Sequence, residues 1–255
     1  MSDRVIVTIK DGIQKLTINR ADKKNALTQE MYAVLANSLN TAEKDADIRV
    51  SVITGTADSF TSGNDLMDFL QNPSSDEEKP VIQFLHALAN IRKPLIAAVN
   101  GLAVGIGTTM LLHCDLVYAS EDATFSLPFV NLALVPEAAS SMLLPKMLGH
   151  QRAAELLMLG DTFTPQKALE FGIINEIVVP EKLEETSMAA AAKLAAKAPE
   201  ALRLTKSLMK GDTDLVLKQM QAEGEVFGTR LTSPEAREAM QAFMERRLPD
   251  FSKFS

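Results

Sequence analysis

The sequence predicts an α/β fold in which strands and helices alternate up to about residue 180 and a helical segment follows. Three observations predict it. Apolar residues near the N-terminus alternate with polar ones as in a half-buried strand. Short apolar runs stopped by Gly or Asn then take turns with stretches of helical spacing. After Pro180 the strand signals give way to Ala, Leu, Lys, Glu and Met.

Val5, Val7 and Ile9 mark the first strand and residues 13–18 (IQKLTI) the second, with Asp11-Gly12 between them as a two-residue hairpin turn. Thr28 caps a helix over residues 31–46, in which Met31, Leu35, Leu39 and Ala42 share a face. Residues 49–54 form the next strand, stopped by Gly55. The stretch 71–80 (QNPSSDEEKP) is polar, charged and bounded by prolines, an exposed flexible loop. A short helix over 82–91 and a buried strand over 94–100 lead to Gly101. An apolar helix begins at 108–112, 116–120 is a strand, and 139–148 is a helix containing Pro145. Helix continues over 155–160. Thr164 caps another that runs to Phe171, with Pro165 in its first turn, and 173–179 is a last strand. This divides the chain into a core of residues 1–180 and a helical region of residues 181–255, broken by Pro199, Gly211 and Pro234. Apolar helices hung on a finished core suit packing against another subunit.

The 255 residues are 46% hydrophobic and 23% charged with a mean hydropathy of +0.03, which excludes a disordered, collagen-like or coiled-coil chain. The 26 Lys and Arg against 33 Asp and Glu leave a net charge of −7, which argues against nucleic acid as a partner. One cysteine, Cys114, rules out an intramolecular disulfide and a cysteine-rich zinc site. The apolar runs stop well short of the roughly 20 residues of a membrane helix. The N-terminus has no signal-peptide pattern, and the last residues, Lys253-Phe254-Ser255, do not match a peroxisomal signal. A soluble cytoplasmic protein is expected, without membrane association.

No Gly-x-Ser-x-Gly nucleophile and no Walker loop occur. His86, His113 and His150 are scattered without ligand spacing, so no metal site is expected. His113 and Cys114 lie in an apolar stretch and read as packing residues. The glycine-rich turn Gly101-Leu-Ala-Val-Gly105-Ile-Gly107 follows a strand and opens a helix. Its N–H groups are suited to negative charge, although such glycines also serve tight strand–helix packing. Phe60-Thr-Ser-Gly63-Asn64-Asp65-Leu66 follows a strand in the same way.

Taken with residues 96–101 (IAAVNG) and 114–119 (CDLVYA), these two turns resemble the enoyl-CoA hydratase/isomerase superfamily, the crotonases. Asn19-Arg20, Asn25-Ala26-Leu27, Pro136-Glu137, Gly149 and residues 242–247 (AFMERR) spread the resemblance over nearly the whole chain. It implies a spiral of ββα units with a C-terminal helical region that builds trimers, often paired into hexamers. It also implies an acyl-CoA substrate, with coenzyme A as carrier and no permanently bound cofactor. An oxyanion hole made of two backbone N–H groups falls at Asn64 and Ile106. Each such donor contributes roughly 2.7–4 kcal/mol to lowering the barrier.

Hydratases of this family add water with two glutamates, and the matching positions here are Thr109 and Phe129. Neither moves a proton as a carboxylate does. Residues 134–141 (LVPEAASS) instead look like the Pro-Glu motif of Δ3,Δ2-enoyl-CoA isomerases, which makes Glu137 the single base. One carboxylate in a water-poor pocket can take a proton from C2 of a 3-enoyl thioester and return it at C4. The bland alternative for Glu137 is a solvated residue in a helix's first turn, and for the protein a low-activity hydratase using Asp68 or a non-catalytic acyl-CoA binder. Burial would raise the Glu137 pKa and a helix start would lower it. The resemblance also places the adenine and 3′-phosphate of CoA near Lys23, Lys24, Ala26 and Leu27, with help from a neighbouring subunit's C-terminal helix, where Arg246 near Phe243 matches the assisting basic residue. Solvated surface charge is the competing role for each lysine. By the same resemblance, the 71–80 loop borders the acyl pocket.

Overall fold

The computed structural model describes residues 3–65, 67, 68 and 79–254. Leu66 and all but the last two residues of the expected 71–80 loop lie outside them. The chain opens on the hairpin of β1 (Val5–Lys10) and β2 (Ile13–Ile18). Asp11 (φ 51°) and Gly12 (φ 76°) take the left-handed geometry that a two-residue hairpin turn needs. Helix α1 (Gln29–Lys44) follows, with the Thr28 side chain accepting from the Met31 N–H at 3.4 Å.

Three strand pairs then come in turn. They are β3 (Val50–Gly55) with β4 (Ser59–Thr61), β5 (Leu95–Val99) with β6 (Leu102–Val104), and β7 (Leu116–Ser120) with β8 (Thr124–Ser126). In each pair the first strand joins a six-stranded sheet of order β1-β2-β3-β5-β7-β9, and the second joins a three-stranded sheet of order β4-β6-β8. Pairing is parallel throughout except for the opening hairpin. Helix α2 (Pro80–Asn90) precedes β5, and α3 (Ile106–Thr109) follows β6. This stepwise advance along two sheets is the spiral that the resemblance implies.

After β8 come α4 (Ser140–Leu148), α5 (His150–Ala154), a π-helical turn over Glu155–Leu159, α6 (Pro165–Glu170) and β9 (Glu176–Val178). Thr164 caps α6 as expected, accepting from Lys167 N–H at 3.3 Å. The last strand is shorter than the sequence suggests, because Asn175 turns its side chain back to accept from the Val117 N–H at 2.7 Å. The C-terminal helices are α7 (Leu183–Ala195), α8 (Pro199–Lys210), α9 (Thr213–Leu231) and α10 (Pro234–Glu245).

Parallel strands are buried on both faces, and here different partners do it. One face packs with α1 and α2 in the main core, where Tyr32 and Leu35 of α1 have no exposed surface. Burying each such side chain stabilises the fold by roughly 1.5–3 kcal/mol. The other face, with Ile13, Val50, Val52 and Ile96, is covered by Met188, Ala191 and Leu194 of α7. Lys206 of α8 is 6% exposed; its Nζ lies 2.6 Å from Asp115 Oδ2 and donates to the Lys93 carbonyl at 2.8 Å. The helical segment is thus bound to the sheet by packing and by an ion pair.

Candidate active site

Two turns at the ends of β4 and β6 meet. Gly63 (φ 91°) has no room for a side chain: a Cβ there would stand 2.9 Å from the Val104 carbonyl oxygen. That close approach puts Asn64 beside Gly105 and Ile106, and all three line one cleft. Gly105 adopts φ 56°, ψ −116°, a region open essentially to glycine alone, and so turns the chain into α3 with the Ile106 N–H at its first position. Neither the Asn64 nor the Ile106 N–H donates to an acceptor among the described residues. Asn64 is held in place by a bridge to Leu27, with Asp65 N–H donating to the Leu27 carbonyl at 2.9 Å. The buried Tyr32 hydroxyl donates to Asn64 Oδ1 at 2.5 Å.

The cleft has a volume of about 550 Å³. Phe129, Leu132 and Leu134 give it one apolar wall, and Phe227, Leu231, Met240 and Phe243 of the C-terminal helices give another. Glu137 is not among the lining residues; it follows the lining residue Leu134 by three positions. Its Oε1 accepts from the Thr109 hydroxyl at 2.5 Å, and Thr109 is one helical turn past Ile106. Burial pushes the Glu137 carboxyl up to about 8, against the Thr109 hydrogen bond, which favours the charged form, and with the charge of Glu223, which disfavours it. The expected contest between burial and a helix start is therefore won by burial. Ser140, not Glu137, begins α4.

Lys23 and Ala26 line the mouth of the cleft, as does Phe243. Ala26 donates its N–H to the Lys23 carbonyl at 3.0 Å, and its carbonyl accepts from Arg20, whose Nη1 also lies 2.7 Å from Asp65. Leu27 is buried behind them. Lys24 turns to Asp58, 3.3 Å away, and lies outside the lining. Arg246 also lies outside it: it closes α10 in the left-handed conformation and is exposed, while Arg247 takes the place at the cleft and pairs with Glu238 at 2.6 Å. A basic pair ending a helix gives no sequence signal as to which member turns inward. Thr109, Tyr32, Arg20 and Glu223 join the site through contacts 28 to 84 residues apart in sequence, which no local pattern announces.

His113 is buried, its Nε2 donating to the Ala138 carbonyl at 2.8 Å, and burial holds its pKa near 4, so it is neutral. Burial pushes the Cys114 thiol up to about 12. Among the described residues no cluster of three His, Cys, Asp or Glu is placed to hold a metal, and no helix is long and apolar enough to cross a membrane. Asp68 accepts from the Gln29 N–H at 2.8 Å, capping α1.

A sequence profile of the enoyl-CoA hydratase/isomerase family matches residues 8–253. The chain is 38% identical over 254 residues to enoyl-CoA delta isomerase 2 of Rattus norvegicus, covering 96% of this chain and 64% of the rat protein. It thus spans under two thirds of that relative's length. It is 33% identical to 1,2-epoxyphenylacetyl-CoA isomerase of Escherichia coli (strain K12), with 99% of both chains covered. The solved structure of OdaA from Pseudomonas aeruginosa superposes with a TM-score of 0.93 at 46% identity, over 96% of this chain and 100% of that one.

Proposed function

The chain belongs to the enoyl-CoA hydratase/isomerase family, and we propose that it is a Δ3,Δ2-enoyl-CoA isomerase that moves the double bond of a 3-enoyl-CoA into conjugation, a step in the β-oxidation of unsaturated acyl chains. The observation that carries this reading is a half-buried carboxylate, Glu137, bonded to Thr109 one helical turn past Ile106, with Thr109 and Phe129 where a water-adding enzyme would place its two glutamates. In the proposed reaction the thioester carbonyl oxygen accepts from the N–H groups of Asn64 and Ile106. The Glu137 carboxylate removes a proton from C2, and that electron pair forms a C1–C2 double bond as the carbonyl π pair moves onto oxygen, giving a dienolate that keeps its C3–C4 double bond. The Glu137 carboxylic acid then protonates C4, restoring the base and leaving the 2-enoyl thioester. The two donors stabilise the oxygen as charge develops there. The apolar walls keep water from competing for the proton.

Coenzyme A enters as the substrate's carrier, with Lys23 at the mouth as one partner for its phosphates and Ala26 and Phe243 beside it. Exposed Leu204, Leu208, Met209 and Leu215 on α8 and α9 support assembly into a trimer or hexamer through the 181–255 region. The test is a 3-enoyl-CoA assay in which the product is 2-enoyl-CoA and Glu137→Ala removes turnover while CoA binding is kept. Unchanged turnover in that variant rules out Glu137 as base. Efficient hydration of crotonyl-CoA would point to the hydratase reading, and CoA binding with no turnover on any enoyl-CoA would point to a non-catalytic binder.

A further inference from the structure

The turn after Glu137 is built so that it needs support from outside. Ala138 and Ala139 both lie in the left-handed region, at φ 58° and 57°. Turns with two such residues normally use Gly, Asn or Asp, because a Cβ crowds the backbone there. The turn closes on itself through Ser140, whose N–H and hydroxyl donate to the Glu137 carbonyl at 3.0 and 2.6 Å. Two groups then hold it from elsewhere in the fold. His113 donates to the Ala138 carbonyl. Glu223 of α9, only 6% exposed, accepts from the Ala139 N–H at 2.6 Å through one carboxylate oxygen, and from the Ser141 N–H at 3.0 Å and the Ser141 hydroxyl through the other. Gln219, one turn earlier on α9, donates to the same Ser141 Oγ at 2.9 Å. No side chain of its own caps the N-terminus of α4, so the Glu223 carboxylate occupies that end.

We propose that Glu223 is a positioning residue: by holding the left-handed Ala138–Ala139 turn from α9, its carboxylate sets where the Glu137 carboxylate points. A carboxylate is the group that can do this, since it offers a separate acceptor oxygen to each of the two N–H groups. Glu223 also acts on Glu137 by charge, making it hold its proton more firmly. Its own carboxyl is raised by burial and lowered by the bonds from Ser141 and Ala139, with no charged group contributing. The neutral His113 on the other side of the turn adds no compensating charge.

The inference rests on the isomerase reading for its kinetic arm alone. The test is Glu223→Gln, compared with wild type in turnover of trans-3-hexenoyl-CoA and in titration of the Glu137 carboxyl by carbon NMR. Its resonance is assigned by its loss in Glu137→Gln. Gln keeps the shape but loses the charge and one acceptor. The expected result is a kcat lower by roughly ten-fold or more with KM nearly unchanged, and a Glu137 titration displaced to lower pH. A folded Glu223→Gln with wild-type kcat and the same Glu137 titration overturns the proposal. Wild type that titrates as expected but never isomerises overturns the isomerase reading and leaves the positioning role to be judged by the titration. Should Glu223→Gln fail to fold, adding Ala139→Gly relieves the turn and is expected to restore folding, so that both measurements are made on the double variant. A double variant that stays unfolded counts against the turn as what Glu223 supports.

Discussion

Glu137 sits where its surroundings pull on its proton in opposite directions, and the balance sets both activity and stability. In the proposed reaction the carboxylate form is the base, so kcat/KM is expected to rise with pH until about pH 8, where the carboxyl loses its proton. Thr109→Val removes the hydrogen bond that favours the charged form. The rise should then move to still higher pH, with kcat/KM at pH 7 falling roughly ten-fold or more, while Thr109→Ser keeps the wild-type profile. Stability runs the other way. In the unfolded chain Glu137 titrates near its ordinary 4.5, and in the folded protein near about 8, so between these values the folded form holds a proton that the unfolded form has lost. Stability falls as pH rises through that window, and above it the half-buried carboxylate costs on the order of a few kcal/mol. Glu137→Gln removes that cost. Thermal unfolding at pH 9 should therefore show a higher Tm for the variant than for wild type, with little difference at pH 4.

The elements of the site are short, and their shortness is why the sequence shows them poorly. The hairpin, α1, α6 and the long strands β3, β5 and β7 were legible, because each carries several periods of apolar spacing or a side-chain cap. The three-residue strands β4, β6 and β8 carry no period at all, yet they make the second sheet that brings Gly63 against Val104. The sequence placed a helix at residues 108–112, whereas α3 starts at Ile106, because Gly105 turns the chain by a backbone conformation that other residues reach only with strain. Gly105→Ala tests that turn. A methyl there meets no neighbouring atom, so packing predicts tolerance, but the backbone cost is roughly 1–3 kcal/mol. The expected outcome is a folded, less stable protein whose kcat falls about 10²–10³-fold as the Ile106 N–H is displaced, checked by denaturant titration and steady-state kinetics.

For the whole molecule, composition set a boundary at residue 180, and packing crosses it. Helix α7 covers one face of the sheet, α9 and α10 supply an apolar wall of the cleft, and Glu223 reaches the turn after Glu137. The Lys206–Asp115 pair, its lysine buried and its aspartate half-buried, fastens this segment to the core. Lys206→Ala leaves Asp115 without its cation and should cost about 3–5 kcal/mol in chemical denaturation, a loss larger than any exposed pair on the surface would give. Leu208 and Met209 are 85% and 79% exposed on α8. If that face joins subunits, Leu208→Glu with Met209→Glu should lower the mass measured by light scattering to that of a single chain.

The sequence by itself determined what local chemistry can encode: the alternation of strands and helices, the two glycine turns, the Pro-Glu segment, and the absence of glutamate at positions 109 and 129. Only the tertiary structure decided which groups face one another. Arg247 rather than Arg246 turns to the cleft, Lys24 is drawn away to Asp58, and Thr109, far from being only a missing glutamate, donates to Glu137. Lys24 and Thr109 find partners 28 or more residues distant, Arg247 is held by Glu238 of α10, and the burial around Glu137 is what lifts its pKa to about 8.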